Sequence, residues 1–474
     1  MSANKVPFLY NDKMLLLTEY IRNFGRFQRN ARLYLISNAL SGVTVGIILV
    51  LYNLYLVSLG YGADFIGLVL FVGTVGAGIA IFPAGVCVDR FGGKLIMIWS
   101  NLAIGVVGAG QILFRQPLLL LCSGFVAGVA AAFLLVVNAP YLTNNSTPAE
   151  RSHLFSLNIV LGLGTTVLGE VLGGALPVWL RTFPWLMAPL PAPLTWLLAS
   201  QIQPRSYQLA LLTAGILAGP SLIPVFLLSD DRPVIASIAG AKQPQRLPFI
   251  QNMYASFTKW WQIVRTIQPR VILSGSLFML ILVQLLIGLG AGLFIPYFNI
   301  YFVQHFKASP ALFGVIDGGA NAINALLVLL APLLALRVGK INTITITRLV
   351  SIPLLLTIGL TNSLPLAATL YLFRQGMMDM SIGVFQVFSM EAVPVQRRGL
   401  ANSLYQTCYQ VAWAITVPLG GFVIVHKGFA PVFIAGAVLY ILATATLWLR
   451  FGRRKQENTL VDADMKPSKE STIA

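Results

Sequence analysis

Charged side chains are scarce in this sequence. Asp, Glu, Lys and Arg make up 10% of its 474 residues, whereas a soluble globular domain carries about 25%. Hydrophobic residues make up 57%. A chain with so little charge cannot cover its surface with water-soluble side chains, so lipid must be its main covering solvent. The composition therefore predicts an integral membrane protein.

Cysteine and histidine are also rare, with three of each. They are scattered along the chain at Cys87, Cys122, Cys408, His153, His305 and His426. No pair has the spacing of a CxxC or HExxH site, so we expect no metal, no cofactor and no disulfide framework. A GxxxxGK[ST] phosphate-binding loop is missing as well, so ATP-driven transport would need another subunit.

Long apolar runs, by contrast, are abundant. A helix that crosses a bilayer needs about 20 mostly apolar residues. We place twelve such spans at 33–58, 64–84, 94–114, 118–142, 155–179, 207–228, 272–303, 310–336, 342–362, 365–390, 401–425 and 429–450. The stretch 181–207 is interrupted by five prolines and is predicted to be an interfacial loop, not a thirteenth span. The predicted fold class is all-α integral membrane.

The basic residues are distributed unevenly between the two sides of the membrane. With an even number of spans, 25 of the 32 Lys and Arg residues fall on the side of the termini and 5 on the other. Basic loops mark the cytoplasmic side, so the net charge of +17 reflects topology and not a nucleic-acid partner. We expect a multi-pass protein of the plasma (inner) membrane with both termini in the cytoplasm.

The sequence repeats itself at an offset of 246 or 247 residues. Asn53-Leu54-Tyr55 matches Asn299-Ile300-Tyr301, Gly67 matches Gly314, and the segments 148–151 and 394–397 correspond. Equivalent span ends at one offset predict two pseudo-symmetric six-helix bundles, at 33–228 and 271–450. A cytoplasmic linker at 229–270 joins them, and a cytoplasmic tail covers 451–474. Within segment 1–32, apolar residues on one helical face predict an interfacial helix, with a solvated extension as the alternative.

The loop between the second and third spans carries a recognisable motif. Its sequence, GVCVDRFGGK over residues 85–94, resembles the G-x-x-x-D-R-x-G-[RK]-[RK] signature of the major facilitator superfamily. Two parallel six-span halves are also that superfamily's architecture. The motif residues are Gly85, Asp89, Arg90, Gly92, Gly93 and Lys94. The resemblance implies that Asp89 latches a cytoplasmic gate by facing the positive N-terminus of the eleventh span; a plain topogenic turn is the alternative.

Four ionisable residues fall inside spans: Glu170, Asp317, Arg374 and Asp379. Each costs about 2.5–3.5 kcal/mol on insertion scales, so each calls for a reason. Glu170 and Arg374 both lie about 13 Å from the outer face at 1.5 Å per residue. We predict that they form a closing pair across a central cavity, with Asp317 nearby, and that protonating Glu170 opens the outer side. A static packing pair is the alternative.

Glu170 lies in a glycine-rich stretch of the fifth span. Gly169-Glu170-Val171-Leu172-Gly173-Gly174 resembles the G-P-x-x-G-G motif of drug–proton antiporters, with Glu170 in place of the proline. The resemblance implies proton-coupled antiport, and the replacement supplies a titratable group where those families usually have none. Small residues at this spacing equally suit close helix packing.

Polar and aromatic residues within the spans are candidates for lining a solute cavity. They are Asn38, Asn53, Tyr55, Asn138, Gln284, Asn299, Tyr301, Asn321, Asn324, Tyr405, Gln406, Tyr409, Gln410 and Trp413. An amide-rich, aromatic cavity with few fixed charges suits apolar, weakly basic or neutral solutes and suits polyanions poorly.

These observations predict a secondary active transporter that works by alternating access, with proton-coupled efflux of a hydrophobic or drug-like small molecule as the leading function. The alternatives are a proton-coupled uptake symporter and a lipid translocase. A membrane-embedded enzyme or a non-transporting receptor belongs to another class, and we expect no enzymatic activity. The expected partners are a small-molecule substrate, protons and membrane lipids, with the protein acting as a monomer.

Overall fold

A computed structural model describes residues 27–147, 150–229, 258, 275–393 and 398–452 of the chain. Within these ranges the protein is helical and contains no strand. The first half holds α1 (Arg29–Ser58), α2 (Ala63–Phe91), α3 (Gly93–Leu113), α4 (Pro117–Asn144), α5 (Arg151–Arg181) and α6 (Ile202–Phe226). The second half holds α7 (Gly275–Phe294), α8 (Pro310–Val338), α9 (Lys340–Leu360), α10 (Leu364–Glu391), α11 (Arg398–Lys427) and α12 (Ala430–Leu447).

Each predicted span corresponds to one of these twelve long helices. A 3-10 turn at Ile295–Tyr297 and a short helix at Phe298–His305 continue α7, and a π turn at Trp448–Gly452 continues α12. By length and composition, eleven helices in the described part of the chain are apolar enough to cross a membrane. The exception is α10, whose 28 residues include Arg374 and Asp379. The helix that is not apolar enough to count as a span is therefore the one that carries two charged residues in its interior.

The same backbone geometry ends α2 and α8. Gly92 follows α2 with a φ of 82°, and Gly339 follows α8 with a φ of 85°. Only glycine adopts this region at little cost, so one residue suffices to connect each helix to the next. The glycine of the loop motif thus has an equivalent in the second half, although the rest of the motif is degenerate there.

The proline-rich stretch after α5 is a loop, as the sequence predicts. It contains two short helical turns, Pro184–Met187 and Ala192–Leu194. Arg205 at the start of α6 holds it in place, because its buried guanidinium donates to the backbone carbonyls of Leu186, Ala188, Ala199 and Ser200. Trp185 and Trp196 on this loop are exposed. Amphipathic rings at such a position are typical of a membrane interface.

The helices pack in the same way within each half. In the first half α1 packs against α5 and α6, and α4 against α2 and α3. In the second half α7 packs against α11 and α12, and α10 against α8 and α9. Two helix pairs, α5 with α8 and α2 with α11, join the halves. The predicted pair of six-helix bundles is confirmed, whereas the linker, the N-terminal segment and the tail lie largely or wholly outside the described residues.

Two hydrogen bonds confirm the internal repeat in three dimensions. The Tyr55 hydroxyl donates to the Ile112 carbonyl at 2.6 Å, and the Tyr301 hydroxyl donates to the Ile358 carbonyl at 2.5 Å. Both donors and both acceptors are separated by the same 246 positions. We name the two ends of the bundle by their turns: the Gly60 end, where α1 turns into α2, and the Gly92 end, where α2 turns into α3.

Candidate functional site

The two helix pairs that join the halves are held by similar close contacts at glycine. A Cβ on Gly67 of α2 would lie 2.8 Å from the Pro418 Cα of α11. A Cβ on Gly174 of α5 would lie 2.5 Å from the Pro310 carbonyl oxygen of α8. Backbone therefore lies against backbone at both contacts, which only glycine permits. Both contacts lie toward the Gly60 end, so the protein is closed there.

Along one face of α2 the halves move apart. Gly67, Gly78 and Gly85 share this face, because they are separated by close to three and five helical turns. The Cβ of a side chain at Gly67 would collide with α11, whereas one at Gly78 or Gly85 would have no atom within 4 Å. Since α2 and α11 diverge in this way, the interface between the halves widens toward the Gly92 end.

Asn53 and Asn299 form a reciprocal clamp between the halves. The Asn53 side-chain amide donates to the Pro296 carbonyl at 2.8 Å, and that of Asn299 donates to the Val50 carbonyl at 3.3 Å. The Asn53 amide also lies 3.4 Å from the Asn299 side-chain oxygen. Both residues are buried. The prediction that they line a solute cavity is wrong for this state, because their amides are used in closing the Gly60 end.

Removing one arm of this clamp is expected to favour opening of the Gly60 end. Asn53→Ala should lower the ratio of closed to open molecules about fivefold, since one net hydrogen bond contributes about 1 kcal/mol. Spin-label distances between Thr182 and Asn362, exposed on the two halves at this end, measure the ratio. Asn101→Ala is the control, because the Asn101 amide bonds within its own helix. An unchanged distance distribution in Asn53→Ala would refute the clamp.

Glu170 and Asp317 bring two acids to the interface between α5 and α8. Glu170 is fully buried, and one carboxylate oxygen accepts a hydrogen bond from the Asn321 amide of α8 at 2.8 Å. Its other oxygen is buried without a partner. Asp317 accepts from the Tyr371 hydroxyl at 2.8 Å and lies one helical turn before Asn321 on α8. The structure thus places two carboxyl groups together, one from each half.

Arg374 is not the partner of Glu170. Its buried guanidinium lies 4.9 Å from the ring centroid of Phe294 and also contacts the rings of Phe298 and Tyr440. No ion pair joins Arg374 to any acid among the described residues. The predicted Glu170–Arg374 closing pair is therefore wrong in this state, because aromatic rings of α7, its continuation and α12 hold the cation inside the second half.

Asp379 is linked to Arg374 through Gln375. Arg374 donates to the Gln375 side-chain oxygen at 3.0 Å, and the Gln375 amide donates to one Asp379 oxygen at 2.8 Å. The Asn324 amide of α8 donates to the same oxygen at 2.8 Å. The amide of Gln375 therefore connects the buried cation to the carboxylate without direct contact between the charges.

The comparison with protein families decides which class of protein carries this arrangement. A profile described as the Major Facilitator Superfamily matches the sequence twice, over residues 34–282 and 280–472. The chain belongs to the Major Facilitator Superfamily. Its two matches correspond to the two six-helix halves. Membership in this superfamily makes the protein a membrane transporter of a small-molecule substrate and not an enzyme.

Solved superfamily structures share the fold. A bacterial homologue of the iron transporter ferroportin, in an inward-facing state, is 17% identical, with 88% of this chain and 98% of that one covered at a TM-score of 0.64. A D-xylose–proton symporter is 14% identical, with coverage of 89% and 97% and a TM-score of 0.63. A bacterial homologue of the human lysosomal transporter Spinster, in an inward-facing and occupied conformation, is 13% identical. The match covers 89% of this chain and 96% of that one at a TM-score of 0.65. Comparison with curated proteins gives no match.

The superfamily loop motif lies at the Gly92 end. Asp89 and Arg90 are exposed there, and the Lys94 ammonium donates to the Leu228 carbonyl, which ties α3 to the end of α6. Gly92 and Gly93 are buried in the turn, and Gly85 lies on the open face of α2. Residues 394–397, which precede α11, lie outside the described residues. The latch between Asp89 and the N-terminus of α11 stays a prediction.

The other candidates for the superfamily's solute cavity have mixed positions. Tyr55 and Tyr301 are buried inside their own halves, so the prediction that they line the cavity is wrong; their hydroxyls satisfy helix carbonyls instead. Asn38 bonds Asn158 within the first half at 2.9 Å. Asn138, Gln284, Tyr409 and Trp413 are half-buried, Tyr405 is buried against Phe385, and Gln406 and Gln410 are exposed.

Some residues of this transporter site were not found from sequence. Tyr371 and Gln375 hold the two acids of the second half, and Phe294, Phe298 and Tyr440 surround Arg374. Gln375 could have been found, because it precedes Asp379 by one helical turn on the same helix. The aromatic rings had no local signal, since they come from other helices.

Proposed function

We propose that the protein exports a hydrophobic or drug-like small molecule in exchange for protons, and that Glu170 carries the coupling proton. Alternating access between the Gly60 end and the Gly92 end is the working mechanism. The observation that supports this proposal is that the α5–α8 contact holds two carboxyl groups, Glu170 and Asp317, and that one Glu170 oxygen is buried there without a partner.

The charges inside the bundle favour one bound proton. Among the described residues, five Lys, Arg, Asp or Glu side chains lie at least seven residues from either end of their helix: Glu170, Asp317, Asp379, Arg348 and Arg374. Three acids against two arginines leave one negative charge in excess. Burying an uncompensated charge is costly, so one proton on the Glu170–Asp317 pair makes the closed interface neutral.

Proton binding then stabilises closure of the Gly60 end. When this end opens, α5 separates from α8 and water reaches Glu170, which stays charged at little cost. When it closes, two carboxylates approach each other away from water, and a proton removes the repulsion between them. Protonation of Glu170 is thus expected to close the Gly60 end, whereas in a Glu170–Arg374 pair it would open that end. The difference arises because the neighbour of Glu170 is an acid and not a cation.

The direction of coupling follows from the orientation inferred from the basic residues. If the Gly60 end faces the exterior, protons bind Glu170 from outside and leave toward the cytoplasm through the Gly92 end. The protonated protein opens inward and releases its proton, and the deprotonated protein then binds substrate and opens outward. An inward proton flux thereby drives the substrate outward. This orientation places both termini in the cytoplasm, in a plasma or inner membrane.

Reconstituted protein tests the proposal. Proteoliposomes with an imposed pH gradient should move labelled hydrophobic compounds against the direction of proton flow, and a protonophore should stop this movement. Movement in the same direction as protons would favour the uptake symporter. Redistribution of labelled phospholipid without a gradient would favour the lipid translocase. If no compound responds to the gradient, relative to liposomes without protein, proton-coupled transport is refuted.

A further inference from the structure

The loop between α5 and α6 departs from the internal repeat. The equivalent connection in the second half runs from Lys427 to Ala430 and is a short turn, in which Gly428 has a φ of 78°. In the first half the connection is residues 182–201, and none of these carries a charged side chain. Joining two neighbouring spans does not need a segment of this length, so the loop calls for a reason of its own.

Two buried side chains of α6 hold the loop in one conformation. The Gln208 amide donates to the Leu197 carbonyl at 2.8 Å, and its oxygen accepts from the Ala199 N–H at 2.8 Å. Arg205 bonds both arms of the loop, at the Leu186 and Ala199 carbonyls. Because these bonds are made to backbone atoms of both arms, the loop is one compact unit that presents its side chains in fixed directions.

Large apolar side chains of this loop are left uncovered. Trp185 and Trp196 are 73% and 75% exposed, and Leu194 is exposed as well. Trp185 ends a row of rings that begins on α5, because the Phe183 ring centroid lies 5.1 Å from that of Trp179 and 6.5 Å from that of Trp185. Exposed apolar side chains gathered on one short segment mark a surface of interaction.

The exposed apolar surface continues from the loop onto two spans. Val178 in the last turn of α5 and Ile202 in the first turn of α6 are exposed, and both helices are apolar enough to cross a membrane. Arg181, at the end of α5, is exposed beside them. A guanidinium at this place suits the phosphates of lipid headgroups. Since lipid covers the apolar sides of the spans, the same leaflet is the partner that fits the loop.

The depth of the loop in the membrane follows from two opposing demands. Water would leave the two tryptophan rings uncovered, and the loop has no charged side chain to offset this. The hydrocarbon core would leave irregular backbone without hydrogen-bond partners, which a bilayer does not tolerate on its lipid-exposed side. The headgroup layer satisfies both demands, because it covers the rings and hydrates the backbone and the indole N–H groups.

We propose that the α5–α6 loop docks into the phospholipid headgroup layer at the Gly60 end, with Trp185 and Trp196 inserted between the headgroups. Arg205 and Gln208 act as positioning residues, since they fix the loop backbone from which the rings project. The docking surface belongs to the first half alone, because the second half has only the Gly428 turn at the equivalent place. The proposal does not depend on which solute the protein carries.

Tryptophan fluorescence of the full-length protein in liposomes tests the proposal. The emission of the two rings is the difference between the original protein and Trp185→Phe/Trp196→Phe, which keeps an apolar ring at both exposed positions. The probes are phosphatidylcholine brominated near the headgroup end of its chains, phosphatidylcholine brominated near the chain ends, and iodide on both sides of the membrane. The difference emission should lose most of its intensity with the shallow bromine, less with the deep bromine and little with iodide.

Trp99 provides the matched control. Its ring is exposed on α3, about 9 Å from the start of this span at 1.5 Å per residue. The difference emission between the original protein and Trp99→Phe should therefore be quenched by brominated lipid and not by iodide. Quenching of the loop rings by iodide would overturn the proposal, because it would place them in water. Quenching by neither reagent would overturn it as well, since a protein surface or a second copy would then cover the loop. Stronger quenching by the deep bromine would also overturn it.

Discussion

Glu170→Gln is expected to abolish transport driven by a pH gradient and to preserve exchange of substrate without a gradient. Glutamine keeps a side-chain oxygen for the hydrogen bond from Asn321, so the α5–α8 contact survives. It cannot bind or release a proton, so the gradient no longer biases the halves. In proteoliposomes, gradient-driven flux should fall to the level of protein-free liposomes, while counterflow of labelled against unlabelled substrate continues.

The conformation of this variant supplies a second readout. Glutamine resembles the protonated acid, so the open fraction of the Gly60 end should be low and the same at every pH, whereas the original protein should open this end more often as pH rises. Spin-label distances at that end measure this difference. Glu150→Gln is the matched control, because Glu150 immediately precedes α5 and, among the described residues, its carboxylate bonds only the Thr147 hydroxyl. Gradient-driven flux equal to that of the original protein would show that Glu170 is a static packing group.

Gly174→Ala is expected to favour the open Gly60 end and to slow transport. The new Cβ would lie 2.5 Å from the Pro310 carbonyl oxygen and 2.9 Å from the Ala311 Cα, both backbone atoms that cannot rotate away. Overpacking of this kind costs about 1–3 kcal/mol, so the closed state should lose about fivefold to a hundredfold in population. Substrate flux should fall in proportion, because alternating access needs both ends to close in turn.

A glycine on the same helix provides the comparison. Gly164→Ala adds the same methyl group to α5 at a position with no atom within 4 Å, and should transport normally. The repeat predicts that Gly421→Ala reproduces the Gly174→Ala effect, because its Cβ would meet the Ala63 carbonyl group of α2. Thermal unfolding should change little in all three variants, since the contacts lie between the halves and not within them. A Gly174→Ala protein that closes and transports normally would refute the proposed role of this contact.

The position of a charged side chain along its helix could be predicted from sequence, but the direction in which the side chain points around the helix axis could not. The sequence put Glu170 and Asp317 within spans and near each other, and both lie in the interior of their helices at the α5–α8 contact. It also predicted the proline-rich loop that Arg205 holds. It wrongly paired Glu170 with Arg374, because equal depth does not tell whether two side chains face each other. The aromatic rings that surround Arg374 come from α7, its continuation and α12, so no sequence pattern within α10 predicts them.

The internal repeat also shows what could and could not be predicted from sequence. An offset of 246 between Asn53 and Asn299 predicted two related halves, and the reciprocal hydrogen bonds to Pro296 and Val50 have the same offset. The sequence could not show that these two asparagines meet each other across the pseudo-two-fold axis. The prediction therefore placed both asparagines in the cavity wall, where an unpaired amide could bind a solute.

By itself, the sequence determined that lipid surrounds the protein, how many helices it has, that its two halves repeat and to which family it belongs. These features depend on composition, on the length of apolar runs and on spacing along the chain. The tertiary structure alone decided which acids lie together, which end is closed and that one Glu170 oxygen is buried without a hydrogen-bond partner. Those features depend on how helices rotate and approach one another, and their approach is set by small contacts such as Gly174 on Pro310 that involve residues far apart in the chain.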